Sequence, residues 1–290
     1  MRFLGIYFTG TGNSKRVMET INRSLVPFGH TMELVDVIKD EVKDINKYDG
    51  LIVSYPIYGF NAPKPIISYV KKMVKANENK PCLIMKQSGE HLFWNNASSL
   101  YLASLLKKRN IKVTNEYHYL MPYSFIFRHS DYMAYRMNNV MEGLIPLDLK
   151  DFFGGKEVHM KRFFLDRFFA WVLRIQWWGG RFNGRFYKVE KNKCIKCMKC
   201  VKDCPANNIK FDAEKGKFKF GGQCLMCQRC IMYCPRQAIK VGMFNSWRVD
   251  EPYNFQEAPY QKEKKPNYCK KNYQKYFQIS EERIEKSKAS

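Results

Sequence analysis

The chain has 290 residues, room for two domains of ordinary size, and a formal net charge of +23. Its apolar and charged fractions are ordinary for a soluble globular protein, and no uncharged apolar run reaches the roughly 18 residues that a membrane span needs. The nearest case, Phe163 to Trp178, is interrupted by Asp166, Arg167 and Arg174. Met1-Arg2-Phe3-Leu4 leads straight into a short apolar strand without an apolar leader and cleavage site, so the expected location is the cytosol.

Residues 2–8 read as a buried strand, followed by a Gly-rich turn, Thr9-Gly10-Thr11-Gly12-Asn13-Ser14, and an amphipathic helix to about Val26. Met32 to Val37 is a second strand. Gly50 to Ser54 is a third, uniformly apolar like a parallel strand covered on both faces. A helix over Pro65 to Val74, a strand over Pro81 to Lys86, a helix over Ser98 to Lys108, a strand in Ile111 to Met121 and a helix over Met133 to Leu144 complete this half. Such alternation implies an α/β doubly wound parallel sheet, and five strands suit the order 2-1-3-4-5. Ligands of such sheets lie outside the carboxyl ends of the strands. There the loops at Thr9 and Tyr55 are the most distinctive. The expected division is a nucleotide-binding domain at 1–154, an aromatic and basic connector at 155–190, a cysteine-rich domain at 191–245 and a polar tail at 246–290. The last 25 or so residues are expected to be a short helix or a frayed end.

Eight of the ten cysteines fall in two runs. The first is Cys194, Cys197, Cys200, Cys204-Pro205; the second is Cys224, Cys227, Cys230, Cys234-Pro235. Both fit C-x₂-C-x₂-C-x₃-C-P, in which a tight loop turns three thiolates toward one face of a cubane and the fourth reaches across to the other cluster. Cys194, Cys197, Cys200 and Cys234 are therefore expected to hold one [4Fe–4S] cluster, and Cys224, Cys227, Cys230 and Cys204 the second. Structural zinc sites favour C-x₂-C pairs separated by a longer loop. The resulting small α+β unit has little apolar core, so its clusters must supply much of its folding energy. Met198 and Gln228 stand where ferredoxins often carry Gly. Cys82 reads as a buried core thiol and Cys269 as an incidental one.

The Thr9–Ser14 loop lies between a strand and a helix, where backbone N–H groups and the helix dipole make a phosphate cradle. Hydroxyls of Thr9, Thr11 and Ser14 and the Asn13 amide add donors. The loop lacks a Walker Lys and the G-x-G-x-x-G order. It resembles the T-x-T-G-N-[ST] loop with which flavodoxins bind the FMN phosphate. That resemblance implies ring contacts from Tyr55, Pro56, Ile57, Tyr58 and Gly59 after the third strand, and from Gln87-Ser88-Gly89-Glu90, chiefly Ser88 and Gly89, after the fourth. Over residues 1–245 the chain resembles flavodoxin–ferredoxin fusion proteins, with Met121-Pro122-Tyr123 and Asn207-Asn208-Ile209 adding to the likeness. The resemblance implies FMN and two [4Fe–4S] clusters.

The function expected is that of an iron–sulfur flavoprotein passing electrons between its clusters and FMN. The alternatives are a reductase of a small organic substrate and, less favoured, a redox sensor associated with nucleic acid. Tyr55, Tyr58 and Glu90 are the candidate proton donors. The charge is uneven: 20 Lys/Arg against 13 Asp/Glu in residues 1–150, and 30 against 14 in the rest. Cofactor charge would leave roughly +17, a field that draws acidic redox proteins. Dispersed Lys and Arg without a recognition motif argue against nucleic acid. Phe163, Phe164, Phe168, Phe169, Trp171, Val172, Trp177 and Trp178 read as an interdomain helix whose aromatic face packs inward, with docking to a membrane the less favoured reading.

Overall fold

The computed structural model describes residues 1–261 and 270–289. The first half contains β1 (Arg2–Tyr7), α1 (Asn13–Leu25), β2 (Thr31–Asp36), β3 (Gly50–Pro56), α2 (Lys64–Lys72), β4 (Lys80–Ser88), α3 (Leu100–Lys108), β5 (Ile111–Leu120) and α4 (Asp131–Phe153). The five strands form one parallel sheet in the order β2-β1-β3-β4-β5. Strand periodicity divides the core. Phe3 and Tyr7 of β1 pack under α1 and α4, while Leu4 and Ile6 pack under α2 and α3. The doubly wound expectation and its strand order are thus realised.

The helix expected over Met133–Leu144 is longer. The Ser130 hydroxyl caps it by accepting the Met133 N–H at 3.1 Å, and Pro146 sits inside it. Proline forfeits one ladder bond, but Ile145 and Leu149 continue the buried stripe beyond it.

The connector holds α5 (Phe164–Val172) and α6 (Gln176–Gly184), joined by a 3₁₀ turn. Here the structure overturns the expectation that the aromatic face packs inward. The inward face of α5 carries the buried Asp166 and Ala170, with Phe169 stacked on Trp94 at 4.7 Å. Phe164, Phe168 and Trp171 point outward and are exposed. Asn61 anchors this face by donating to the Ala170 carbonyl at 2.8 Å, while Asp166 caps the start of α5 by accepting the Phe163 N–H at 2.9 Å.

The cysteine-rich part contains β6 (Lys188–Val189), α7 (Lys199–Lys202), β7 (Ile209–Asp212), β8 (Lys217–Phe220), α8 (Arg229–Met232) and β9 (Ile239–Lys240). β7 pairs with β8 and β6 with β9, both antiparallel. Its own core is small, centred on Tyr187, Ile231, Ile239 and Val241.

The chain ends in α9 (Lys270–Ala289), a 20-residue helix rather than a short or frayed one. Tyr273, Tyr276, Phe277 and Ser280 are buried and Ile284 is partly so. That spacing is a full helical stripe, and it packs on α4. Arg136 with Glu281, and Arg283 with Asp148 and Asp151, complete the contact. Cys82 is buried in β4 as expected; Cys269 lies outside the described residues. Among the described residues no helix is long and apolar enough to cross a membrane.

Candidate cofactor sites on either side of one loop

The two cysteine motifs fold as copies offset by 30 residues. Lys196, Met198 and Asn207 have positive φ, and so do Met226, Gln228 and Gln237. Met198 and Gln228 adopt the left-handed conformation at the start of α7 and α8, which explains why glycine suits those places and implies a cost of about 1 kcal/mol each. Cys194, Cys197, Cys200 and Cys234 line one cavity; Cys204, Cys224, Cys227 and Cys230 line another. In each cavity two sulfurs accept backbone N–H groups: Lys196 to Cys194 and Ala238 to Cys234, Met226 to Cys224 and Asn208 to Cys204, all at 3.3–3.4 Å. Such bonds stabilise thiolate charge. Burial pushes the Cys200 thiol up to about 11 and the Cys224 thiol up to about 12, so ligand formation there must drive a proton off. Four thiols arranged around a hollow suit a polynuclear cluster in which each thiolate binds one iron.

At the carboxyl end of β1, Gly12 (φ 107) turns the chain into α1. The Gly12 N–H donates to the Thr9 hydroxyl at 2.9 Å. Asn13 donates to the Pro122 carbonyl at 2.8 Å and Ser14 to Gln87 at 2.6 Å, so these two side chains brace the loop against the ends of β4 and β5. The N–H groups of Asn13, Ser14 and Lys15 open α1, with no carbonyl one turn earlier within the helix to receive them.

The outer side of this loop is held by the cysteine-rich part. Arg229 donates to the Thr9 carbonyl at 2.7 Å and to the Gly10 carbonyl at 2.8 Å; the Tyr233 hydroxyl donates to the Thr11 carbonyl at 2.8 Å. All peptide bonds here are trans, so each carbonyl points opposite the N–H of the same peptide. The Gly10 and Thr11 N–H groups therefore face away from Arg229, on the side where the α1 amides start. A Cβ on Gly12 would meet nothing nearer than the Tyr233 hydroxyl at 3.6 Å, whereas one on Gly10 would lie 2.4 Å from the Cys227 carbonyl oxygen. Open space, inward amides and a helix start fit a phosphate. Thr11 adds a half-buried hydroxyl; Thr9 is buried.

The expected ring-side residues divide. Tyr55 is fully buried in the core against α2 and α3, because alternation along β3 turns its side chain into the sheet. Its ring is enclosed and unable to stack on a flavin, which corrects the expectation for that residue; its backbone and those of Pro56, Ile57 and Gly59 line the strand end. Tyr58 lies edge-on to Phe8 at 6.2 Å, with its hydroxyl beside Gly10. It thus lies beside the contact between Gly10 and Cys227. Burial pushes both phenols well above their ordinary range, so neither releases a proton readily. At the end of β4, the Ser88 hydroxyl donates to the Glu90 carbonyl at 2.5 Å and lies 2.7 Å from His118 Nε2. The Gly89 carbonyl accepts from Tyr273 of α9, and Tyr123 packs over Gly89. Ser88 and Gly89 are thus locked by protein partners. Arg229 and Tyr233 escaped the sequence reading, since nothing local marks them; their roles arise only where the two halves meet.

Residues 193–239 match the family model described as "4Fe-4S dicluster domain". No curated protein matches the chain. Among solved structures, an archaeal flavodoxin is similar at 11% identity, covering 52% of this chain and 98% of its own, with a TM-score of 0.38. Flavodoxin 1 of Bacillus cereus is similar at 13% identity, covering 52% and 98%, with a TM-score of 0.37. A flavodoxin of Streptococcus pneumoniae TIGR4 is similar at 11% identity, covering 61% and 99%, with a TM-score of 0.35. By its sheet order and its dicluster match, the chain joins a flavodoxin-like α/β domain to a ferredoxin-type 4Fe–4S segment.

Proposed function

We propose that the protein is an electron-transfer iron–sulfur flavoprotein, with two [4Fe–4S] clusters on the two cysteine quartets and FMN on the Thr9–Ser14 loop. The observation that carries this reading is the direct seat of Cys227 on Gly10, with Arg229 bonded to the Thr9 and Gly10 carbonyls. FMN exchanges one or two electrons and each cluster one, so the pairing couples single-electron to two-electron chemistry.

The chain's residues set the order of sites. The Cys204/Cys224/Cys227/Cys230 quartet adjoins the phosphate loop, while the Cys194/Cys197/Cys200/Cys234 quartet lies farther out, with Cys197 exposed. Lys191, Lys193, Lys196, Lys199 and Lys202 are exposed around the outer quartet and favour an acidic redox protein as the partner there. Arg229 and Tyr233 hold the loop's carbonyls outward, so that its amides stay aimed at the phosphate. Leu225 and Trp177 pack on the same core as Phe8 and exclude water from the junction.

The test is anaerobic purification with assay of flavin, iron and sulfide, then stopped-flow reduction of the clusters while flavin absorbance is followed. The reading expects about one FMN and about eight irons per chain, with flavin reduction slowed by Cys227→Ser more than FMN content is reduced. A chain with eight irons that takes up no flavin after incubation with FMN sinks it.

A further inference from the structure

The aromatic connector presents an apolar stripe outward. Phe164, Phe168, Trp171, Ile175, Trp178 and Phe182 recur at steps of four, three, four, three and four across α5 and α6, and each is 48–79% exposed. This is the period of one helical face, sustained through the 3₁₀ turn between them. Isolated exposed aromatics are ordinary on a protein surface; a continuous stripe over 19 residues is not.

The charge beside the stripe names its occupant. Residues 160–189 contain seven Lys or Arg and one acidic residue, Asp166, which is buried as the partner of the Phe163 N–H. Lys161, Arg167, Arg185 and Lys188 are exposed, and the Trp178 ring lies beneath the Arg181 guanidinium at 5.3 Å and Lys64 at 5.8 Å. Tryptophan and phenylalanine on one face, with flanking cations and no exposed acid within residues 160–189, match the interface of an anionic bilayer. We infer that α5 and α6 form a peripheral docking surface for an anionic lipid membrane, with the aromatic stripe entering the headgroup layer and the flanking cations meeting lipid phosphates. The opposite side of α6 rests on the cysteine-rich part, where a Cβ at Gly184 would lie 2.2 Å from Cys224 Cβ. Docking therefore brings the inner quartet within about one helix diameter, roughly 10 Å, of the lipid surface.

The test uses the full chain, purified anaerobically with its iron, in sedimentation with vesicles of phosphatidylcholine alone or containing phosphatidylglycerol. The expected result is binding to the anionic vesicles, weakened by salt, with a blue shift of tryptophan emission. Trp171→Ser with Trp178→Ser should weaken binding at least about tenfold, with iron content and far-ultraviolet circular dichroism unchanged. Arg167→Glu with Arg185→Glu should weaken binding to anionic vesicles by a similar factor and remove the salt dependence. If the wild-type chain stays in the supernatant with both vesicles, the inference is overturned. It is equally overturned if the chain self-associates in ultracentrifugation and the tryptophan pair abolishes that association, because a second copy would then cover the stripe.

Discussion

Gly10 occupies the variable place in the phosphate-loop pattern, yet the structure leaves it no alternative. A methyl group there would collide with the Cys227 carbonyl, so Gly10→Ala must push the two halves apart or tilt the loop. The expected outcome is slowed reduction of flavin by the clusters in stopped flow, with iron content retained; an unchanged rate would show that the contact is not on the path. Lys86, Glu116 and Arg162 form a charged cluster. Lys86 and Glu116 are buried in adjacent strands, and Arg162 reaches them from the connector. Burial lowers the Lys86 pKa to about 8, with Arg162 adding to that and Glu116 opposing it. Burial pushes the Glu116 carboxyl up, but Lys86 and Arg162 together hold it below its usual range. Glu116→Gln leaves two cations facing each other without a counter-charge and should cost about 3–5 kcal/mol in denaturant unfolding; Lys86→Met, which leaves the Glu116–Arg162 pair intact, should cost less.

Among the elements, α9 does more than end the chain. The Tyr276 hydroxyl accepts the Leu120 N–H at 3.3 Å, and the Tyr273 hydroxyl donates to the Gly89 carbonyl, so the helix seals the carboxyl ends of β4 and β5. Phe277 packs in the core beneath the Arg136 guanidinium at 4.1 Å. Phe277→Ala should cost about 3–5 kcal/mol of stability and raise amide exchange across α4 and α9 first. Equal exchange throughout the sheet would instead mean that α9 and the sheet unfold as one. The connector helices obey a different balance. Their inward contacts are partly polar and most of their large side chains are left outside, so the Asn61 bond and the Trp94–Phe169 stack orient α5 while Asp166 caps it.

For the whole molecule, buried imidazoles weaken the fold toward acid, His118 and His129 among them. His129 is buried, its Nδ1 3.3 Å from the Tyr123 N–H and its Nε2 3.2 Å from the Tyr273 hydroxyl. Burial, helped by Arg128, lowers its pKa from 6.5 to about 3. Between those values the unfolded chain binds the proton and the folded chain does not, so stability falls as pH drops through that window. From pH 7.5 to 5.5 the loss from this group should be about 1 kcal/mol, read as a shift in denaturation midpoint that His129→Gln reduces. Asp148 has the opposite sign: burial raises it to about 6 against the pull of Arg283, so its contribution declines as pH rises from about 4 to 6. Reduction by an acidic redox protein should slow as salt is added, and Lys196→Glu with Lys202→Glu should slow it further at low salt.

Much was legible in the linear order of residues because the relevant physics is local. Strand and helix periods, the Gly-rich turn and the cysteine spacing each act within about a dozen residues, and they implied the sheet order and the grouping of the thiols. What lay beyond reach depended on the meeting of distant segments. Tyr55 was drawn into the core because sheet alternation, not aromatic character, decides where a strand residue points. The stripe of Tyr273, Tyr276, Phe277 and Ser280 was present in the tail, but its polar surroundings masked it. Whether the aromatic connector faced inward or outward turned on contacts such as the Asn61–Ala170 bond and the Trp94–Phe169 stack, which do not exist until the connector lies against the sheet domain. The placement of Arg229 on the Thr9 and Gly10 carbonyls likewise joins residues some 220 positions apart, and only tertiary packing brings them within hydrogen-bond reach.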